Sequence, residues 1–272
     1  MNSNTIKHNA LFFSGENFSE TEDILAIEVG LSIAINHQPF TLTMQTPGNE
    51  LELVRGLLFT ESIYQSLEVN PTIEILSHDE NGFINGVNVL VDKALLLKEF
   101  AGTRNVMSAS SCGMCGKTNM DAPFLKQIDK HKVFAPQQIS KMFEQVAQIQ
   151  KTFIQSGGTH AAGAFDIEGN LLSMQEDIGR HNAVDKVIGQ LINEKQLANC
   201  FCLTVSGRLS YEIVHKTHVA QIPFLASVSA PSSLAVNYAQ EAGITLLAFC
   251  RNGKLTAYAH PERLAQTLEF KM

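Results

Sequence analysis

The chain has 272 residues, 44% hydrophobic and 17% charged, with 20 Lys and Arg against 27 Asp and Glu for a formal net charge of −7. That length suits one or two domains with a buried core, and the composition excludes general disorder. Net acidity argues against non-specific nucleic-acid or membrane-surface binding, and no apolar run reaches the about 18 residues of a membrane span.

Residues 1–10 hold neither a basic nor an apolar stretch, so no secretory signal is expected. Five cysteines are too few and too odd in number for a disulfide framework, which favours a reducing cytoplasm. In chain order, the first twenty or so residues read as a loose polar arm. Leu25, Ile27, Val29, Leu31, Ile33 and Ile35 then alternate as in a half-buried strand. Asn36-His37-Gln38-Pro39 reads as a turn, and Phe40, Leu42 and Met44 complete a hairpin. Asn49, with Glu52 three residues on, resembles a capping box, and Leu51, Val54, Leu58 and Tyr64 follow at helical spacing. Two short strands are expected near 72–76 and 84–91. This order suits a small α+β domain over residues 1–107, the arm included.

Residues 101–122 are rich in Ser, Gly, Cys, Asn and Met and read as a loop between domains, its motif occupying 108–121. After Pro136 the positions Ile139, Met142, Phe143, Val146, Ile149 and Phe153 fall on one helical face that Gly157-Gly158 ends. A strand pair over 159–167 and 170–175 and a helix carrying Val184, Val187, Ile188, Leu191 and Ile192 follow. Strands at 200–206, 223–228 and 244–250 alternate with helices at 210–220 and 232–242, which implies parallel strands with crossover helices. A strand at 254–259 and a short helix at 261–268 close the chain. Residues 122–272 therefore read as a three-layer α/β domain.

The loop contains Ser111-Cys112-Gly113-Met114-Cys115-Gly116. Such a pair can be redox-active, supply half a zinc site or carry sulfur. Zinc needs four ligands, and no second Cys-x-x-Cys exists. Cys200 and Cys202 would point to opposite faces of a buried strand. A thioredoxin-like motif would open a helix directly after a strand, whereas glycine follows each cysteine here. Thiols in a glycine-rich loop argue for chemistry rather than packing.

Four turns are candidates for binding an anion: residues 156–160, 177–181, 206–208 and 229–233. In open α/β sheets ligands sit at the carboxyl ends of strands, where helix N-termini offer amides to phosphate. Arg180, Arg208 and Lys254 could neutralise charge. The turn at 251–254 should share one sheet edge with those at 206–208 and 229–231. His181 is either a general acid/base, a cap or a ligand contact, and His160 either a contact or a core histidine. His215 and His218 are expected on a helix surface or edge without chemistry.

The cysteine motif, Gly158-Thr159-His160-Ala161-Ala162, Glu176-Asp177-Ile178-Gly179-Arg180-His181-Asn182-Ala183-Val184-Asp185-Lys186 and Ser206-Gly207-Arg208-Leu209-Ser210-Tyr211-Glu212 together resemble the signature blocks of the formate dehydrogenase accessory sulfurtransferase family (FdhD). The resemblance spans about residues 28–260, in the same order. It implies a larger domain similar to the cytidine deaminase fold. It implies sulfane sulfur taken from a cysteine desulfurase as a persulfide on Cys112, with Cys115 assisting or resolving. The acceptor would be the molybdenum bis-molybdopterin guanine dinucleotide cofactor, bound as substrate, and the enzyme served formate dehydrogenase. The family's cofactor-binding stretch falls on Phe249-Cys250-Arg251-Asn252-Gly253-Lys254. Gly158, His160, Arg180, His181, Ser206 and Arg208 are expected to join it. A homodimer is expected, with no nucleic-acid or membrane partner. Zinc deaminases need His-x-Glu and Pro-Cys-x-x-Cys. His160-Ala161-Ala162 lacks the Glu, so neither deamination nor structural zinc is expected. The alternative is a non-enzymatic chaperone that binds and inserts the cofactor.

Overall fold

The computed structural model describes residues 4–97, 128 and 133–265. Cys112 and Cys115, and the domain boundaries at 107/108 and 121/122, lie outside the described residues.

The N-terminus corrects the first expectation. In place of a loose arm, β1 (Thr5–Ser14) pairs antiparallel with β2 (Asn17–Ala26) from Thr5↔Ala26 to Ser14↔Asn17. Gly15, at φ 63°, supplies the left-handed turn residue. The hairpin base rests on the helix at 151–156, and Thr5 Oγ1 lies 3.0 Å from Gln155 Oε1. The alternation read as one strand from Leu25 to Ile35 is divided, because β2 ends at Ala26 and β3 (Val29–Ile35) begins anew.

Asn36 and His37 both have positive φ, as a tight hairpin turn requires. They join β3 to β4 (Gln38–Gln45). After α1 (Glu50–Thr60) come β5 (Thr72–His78) and β6 (Ile84–Leu90). The four strands form a mixed sheet in the order β4-β3-β6-β5, with β3 and β6 parallel. Leu31, Ile33 and Ile35 alternate inward from β3 and meet Leu53, Val54, Leu57 and Leu58 of α1 in one core. The capping box at Asn49 is not formed. Asn49 is left-handed at φ 61° and its side chain makes no cap. Its Nδ2 donates instead to Gln175 Oε1 at 2.6 Å. Tyr64 lies beyond the end of α1, buried, and donates its hydroxyl to the Val69 carbonyl.

The expected long helix after Pro136 is two helices, α2 (Pro136–Ile149) and α3 (Lys151–Ser156). The Glu176 carboxylate accepts from the amides of Thr152 and Phe153 at 2.9 and 2.7 Å. It therefore caps a new helix start where continuation was expected. Then follow β7 (His160–Phe165), β8 (Leu171–Asp177), α4 (Arg180–Asn193), β9 (Cys202–Val205), α5 (Tyr211–Val219), β10 (Phe224–Ser227), α6 (Ser233–Ala242), β11 (Thr245–Arg251) and β12 (Lys254–Ala259). A single 3-10 turn, Pro261–Arg263, stands where the closing helix was expected, and residues 266–268 lie outside the described residues.

These strands form one sheet in the order β12-β11-β10-β9-β7-β8, with β9, β10 and β11 mutually parallel. On one face Val184, Val187 and Ile188 of α4, Ile213 of α5 and Ala239 of α6 pack on Leu203, Leu225 and Leu246. On the other, Ile139, Met142 and Val146 of α2 pack on Phe165, Phe224 and Leu247. The result is three layers. Cys200 and Cys202 fall in the cores of opposite faces.

The two sheets are joined where α1 crosses α4. A Cβ on Gly56 would stand 1.8 Å from the Asp185 carbonyl oxygen, and one on Gly189 the same distance from that of Glu52. Only glycine permits this contact. Beside it, Lys216 Nζ reaches both Asp185 carboxylate oxygens and Thr60 Oγ1, each at 2.9 Å. All three side chains are buried.

Candidate functional site

The parallel strands β9, β10 and β11 end on one edge, at Val205, Ser227 and Arg251. β7 runs antiparallel to β9, so it begins at that edge with His160, and β8 ends there at Asp177. The turns at 206–208, 229–231 and 251–254 thus share one rim.

Asp177 organises the start of α4. It is fully buried. Its Oδ1 accepts from the Gly179 amide and Asn182 Nδ2, and its Oδ2 accepts from the Thr46 amide. Lys186 Nζ pairs with Oδ2 at 2.8 Å and donates to the Thr46 carbonyl at 2.7 Å. A buried carboxylate this well satisfied holds a fixed geometry. Much of the block from Glu176 to Lys186 is therefore a clamp that sets the helix start, and only Arg180 and His181 are left to face the rim.

Arg180 lies across Gly207. A Cβ on Gly207 would come within 3.0 Å of the arginine Cβ and Cδ. Arg180 Nε is buried without a hydrogen-bond partner among the described residues, as is His181 Nδ1. His181 itself is only 7% exposed. Its Nε2 lies 3.7 Å from Glu212 Oε2. That imidazole, followed by the Ser210 hydroxyl, draws the Glu212 carboxyl down to about 2 against the opposing effect of burial. A carboxyl with a depressed folded pKa adds stability above its unfolded value of 4.5 that is lost as pH falls toward about 2. Glu212→Gln is expected to lower the denaturation midpoint at pH 6 by a constant amount. That difference should vanish on acidification through this window, as followed by urea unfolding at stepped pH.

His160 Nδ1 lies 3.1 Å from Ser206 Oγ, which also accepts from the Ala161 amide at 2.9 Å. Burial first, then the Arg180 charge, with smaller contributions from His181 and Arg208, lowers the His160 pKa against the pull of Asp177. The charged form of His160 is thus disfavoured beside the guanidinium groups of Arg180 and Arg208. Such a centre suits an anion.

Ser206 links this centre to a cavity of about 420 Å³, a size that accommodates a nucleotide-sized group. The sheet contributes Ala161, Ser206, Val228, Cys250, Arg251, Asn252 and Gly253 to its lining. Asn252 and Gly253 have φ of 54° and 70°, forming the two-residue turn between β11 and β12. Phe249 is also left-handed, at φ 54°, within a β-bulge. That is a strained conformation for an aromatic residue. Burial raises the Cys250 thiol to about 12.

The structure thus brings Ser206, Cys250, Arg251, Asn252 and Gly253 together at the cavity, and His160, Arg180, His181 and Arg208 beside it. Phe249, Lys254 and Gly158 are not in its lining. Phe249 stands against Tyr258, 6.4 Å between ring centroids. Lys254 is exposed and pairs in register with Arg251. Gly158 faces Ala26 at the hairpin base. The loops after β9 and β10 are tied together, Leu209 to Ala230 and Ser232 to Leu209. Ser232 already caps α6 by accepting from Ala235, so that helix start offers less to phosphate than expected.

The opposite wall is not apparent from the sequence. It consists of Ser140, Phe143, Glu144, Val146 and Ala147 of α2, with Gln150 and Phe153 at the helix break. His215 and His218, expected at a surface or edge, instead share the Tyr238 hydroxyl at 3.0 and 3.1 Å, His218 being buried. Among the described residues no three His, Cys, Asp or Glu side chains converge as a metal site, and no helix is long and apolar enough to cross a membrane.

The chain is an α/β protein whose parallel strands β9, β10 and β11 end at a largely apolar cavity. Arg180 is half-buried and Arg208 exposed beside it, at the edge where such sheets commonly take ligands. Residues 26–265 match the model of the FdhD/NarQ family. A protein of Sulfolobus acidocaldarius named sulfur carrier protein FdhD is 39% identical over 247 residues, covering 90% of this chain and 93% of its own. The protein of that name from Mycolicibacterium paratuberculosis is 40% identical over 251 residues, covering 89% and 92%. A crystal structure from Desulfotalea psychrophila, of a proposed formate dehydrogenase accessory protein, has a TM-score of 0.75 at 24% identity, covering 97% of this chain and 100% of its own. The chain belongs to the FdhD/NarQ family.

Proposed function

We propose that this protein is a sulfurtransferase that carries sulfane sulfur on Cys112, from a cysteine desulfurase to the molybdenum bis-molybdopterin guanine dinucleotide cofactor, for formate dehydrogenase. The setting is the cytoplasm, where the thiols stay reduced. Family membership and the naming of relatives as sulfur carriers support the carrying role. The remaining three of the five cysteines support the choice of thiol. Cys200, Cys202 and Cys250 are buried, and burial raises the pKa of the latter two. A buried neutral thiol is a poor nucleophile.

The Cys112 thiolate attacks the outer sulfur of the desulfurase persulfide, and the desulfurase cysteine leaves as thiolate. If Cys115 then resolves the persulfide, its thiolate attacks Cys112 Sγ and the outer sulfur departs as sulfide. The two electrons that reduce that sulfur come from the two cysteines, which end as a disulfide. The cofactor is the substrate of this transfer. Its phosphates would face Arg251, Arg180 and Arg208, and its guanine the cavity. Helices on both faces of the larger sheet support the likeness to the cytidine deaminase fold.

The cavity lined by Ser206 and residues 250–253 is the observation that carries the cofactor half of this reading. Calorimetric titration with GDP, a fragment of that cofactor, tests it. GDP should bind, more weakly at high salt, and Arg251→Ala or Arg208→Ala should each weaken binding about tenfold, the order of one charge-assisted hydrogen bond. Absent heats with the wild type would remove the cofactor reading.

A further inference from the structure

We propose that Glu144 is the residue that selects the base at the cavity, its carboxylate accepting from N1–H and the N2 amine of guanine, so that guanine nucleotides bind in preference to adenine ones. The inference rests on the nucleotide reading above and adds to it a specificity-determining side chain on the wall that the sheet does not supply.

That wall is held in place from the sheet. Glu144 lies on α2, and Gln150 and Phe153 lie at the break between α2 and α3. The Glu176 carboxylate of β8 takes the Thr152 and Phe153 amides and, at 2.9 Å, the Thr159 hydroxyl. It thereby fixes where α3 starts and where the Phe153 side chain departs. Phe143 and Phe153 give the wall two aromatic rings. Stacking on an aromatic ring retains any purine and chooses none, because every base has a π-face.

Choice therefore falls to polar groups, and several in the lining are already engaged. Ser206 Oγ accepts from the Ala161 amide. Thr204 Oγ1 donates to the Gly163 carbonyl at 3.2 Å, and Ser140 Oγ to the Pro136 carbonyl at 3.4 Å. Glu144, Gln150 and Asn252 make no side-chain hydrogen bond among the described residues. Gln150 and Asn252 are amides, donor and acceptor at once, and can suit either purine. A carboxylate only accepts.

Glu144 is the one acid in the lining and Arg251 the one cation, and they stand on opposite walls. A nucleotide has the same polarity. With its phosphates toward Arg251, its base edge turns toward α2. Guanine presents two adjacent N–H donors there, which the two carboxylate oxygens accept as a charge-assisted pair. Adenine presents a lone pair at N1 beside one amine, so the same carboxylate meets a lone pair and keeps a single bond. Hypoxanthine keeps N1–H and lacks the N2 amine, which isolates the second bond.

Calorimetric titration of the full chain with GDP, IDP and ADP at one salt concentration tests this. The wild type should bind GDP about tenfold more tightly than IDP and about a hundredfold more tightly than ADP. Glu144→Ala should bring the three to within about threefold of one another. Glu144→Gln keeps one acceptor but sets an NH2 group against the guanine amine, and should erase the preference over IDP. Circular dichroism should be unchanged in both, since Glu144 is exposed. A wild type that binds none of the three overturns the nucleotide reading and this inference with it. A wild type that binds GDP no better than ADP overturns the inference alone, as does a folded Glu144→Ala protein that keeps the preference or weakens all three nucleotides equally.

Discussion

Cys112→Ala is expected to abolish sulfur delivery, leaving formate dehydrogenase in a strain that relies on this protein at background activity. Stability should be unchanged. The buried thiols should not substitute. Cys250 lines the cavity, yet its pKa near 12 leaves almost no thiolate at neutral pH. Cys202 is raised too and sits fully buried under α2. Residues 101–122 show little apolar periodicity in sequence, so the loss of Cys112 is not expected to lower the melting temperature. Cys115→Ala should impair delivery less if Cys115 only assists and as severely if it resolves the persulfide. Enzyme activity in a complementation assay, with thermal unfolding of each variant, separates lost chemistry from lost structure.

Gly56→Ala is expected to destabilise the protein strongly, by about 3 kcal/mol or more. The added methyl would stand 1.8 Å from the Asp185 carbonyl, a backbone atom that cannot rotate away. α1 and α4 would have to separate, which stretches the Lys216 bonds to Thr60 and Asp185. Leaving buried charge imperfectly paired adds to the cost. Gly189→Ala should act alike, and the double variant should cost less than the sum because both methyls open the same crossing. Urea unfolding of the four proteins measures this. The consequence reaches the site, because α4 presents Arg180 and His181 at its first turn. A partly folded Gly56→Ala protein should therefore bind GDP more weakly, although Gly56 is not in the cavity lining.

The α/β portion was readable because its strands and helices are amphipathic against a core. Leu203 and Val205, or Ile139, Met142 and Val146, each repeat at the period of their element. The hairpin at 5–26 was not, because its apolar residues face solvent on both sides and leave no buried stripe to read. The break at Gln150 was hidden for another reason. Glu176, distant in sequence, caps α3, and local spacing carries no trace of that bond.

Of the site, the strand-end turns were legible from glycine and arginine positions, and the parallel topology places them on one rim. The far wall was not, since Phe143 and Phe153 fit the helical period and read as core. Their excess exposure, 45% for Phe153, appears only in three dimensions. The motif from Glu176 to Lys186 also serves the fold. Asp177, Asp185 and Lys186 make buried bonds that hold α4 in place, and local spacing does not reveal those partners.

Mass spectrometry of the peptide containing Cys112, after incubation with a cysteine desulfurase and free cysteine, tests the central claim most directly. One added sulfur atom is expected on Cys112, removable by reductant and absent when the desulfurase is omitted. An unmodified Cys112, or sulfur found only on Cys200, Cys202 or Cys250, would contradict it.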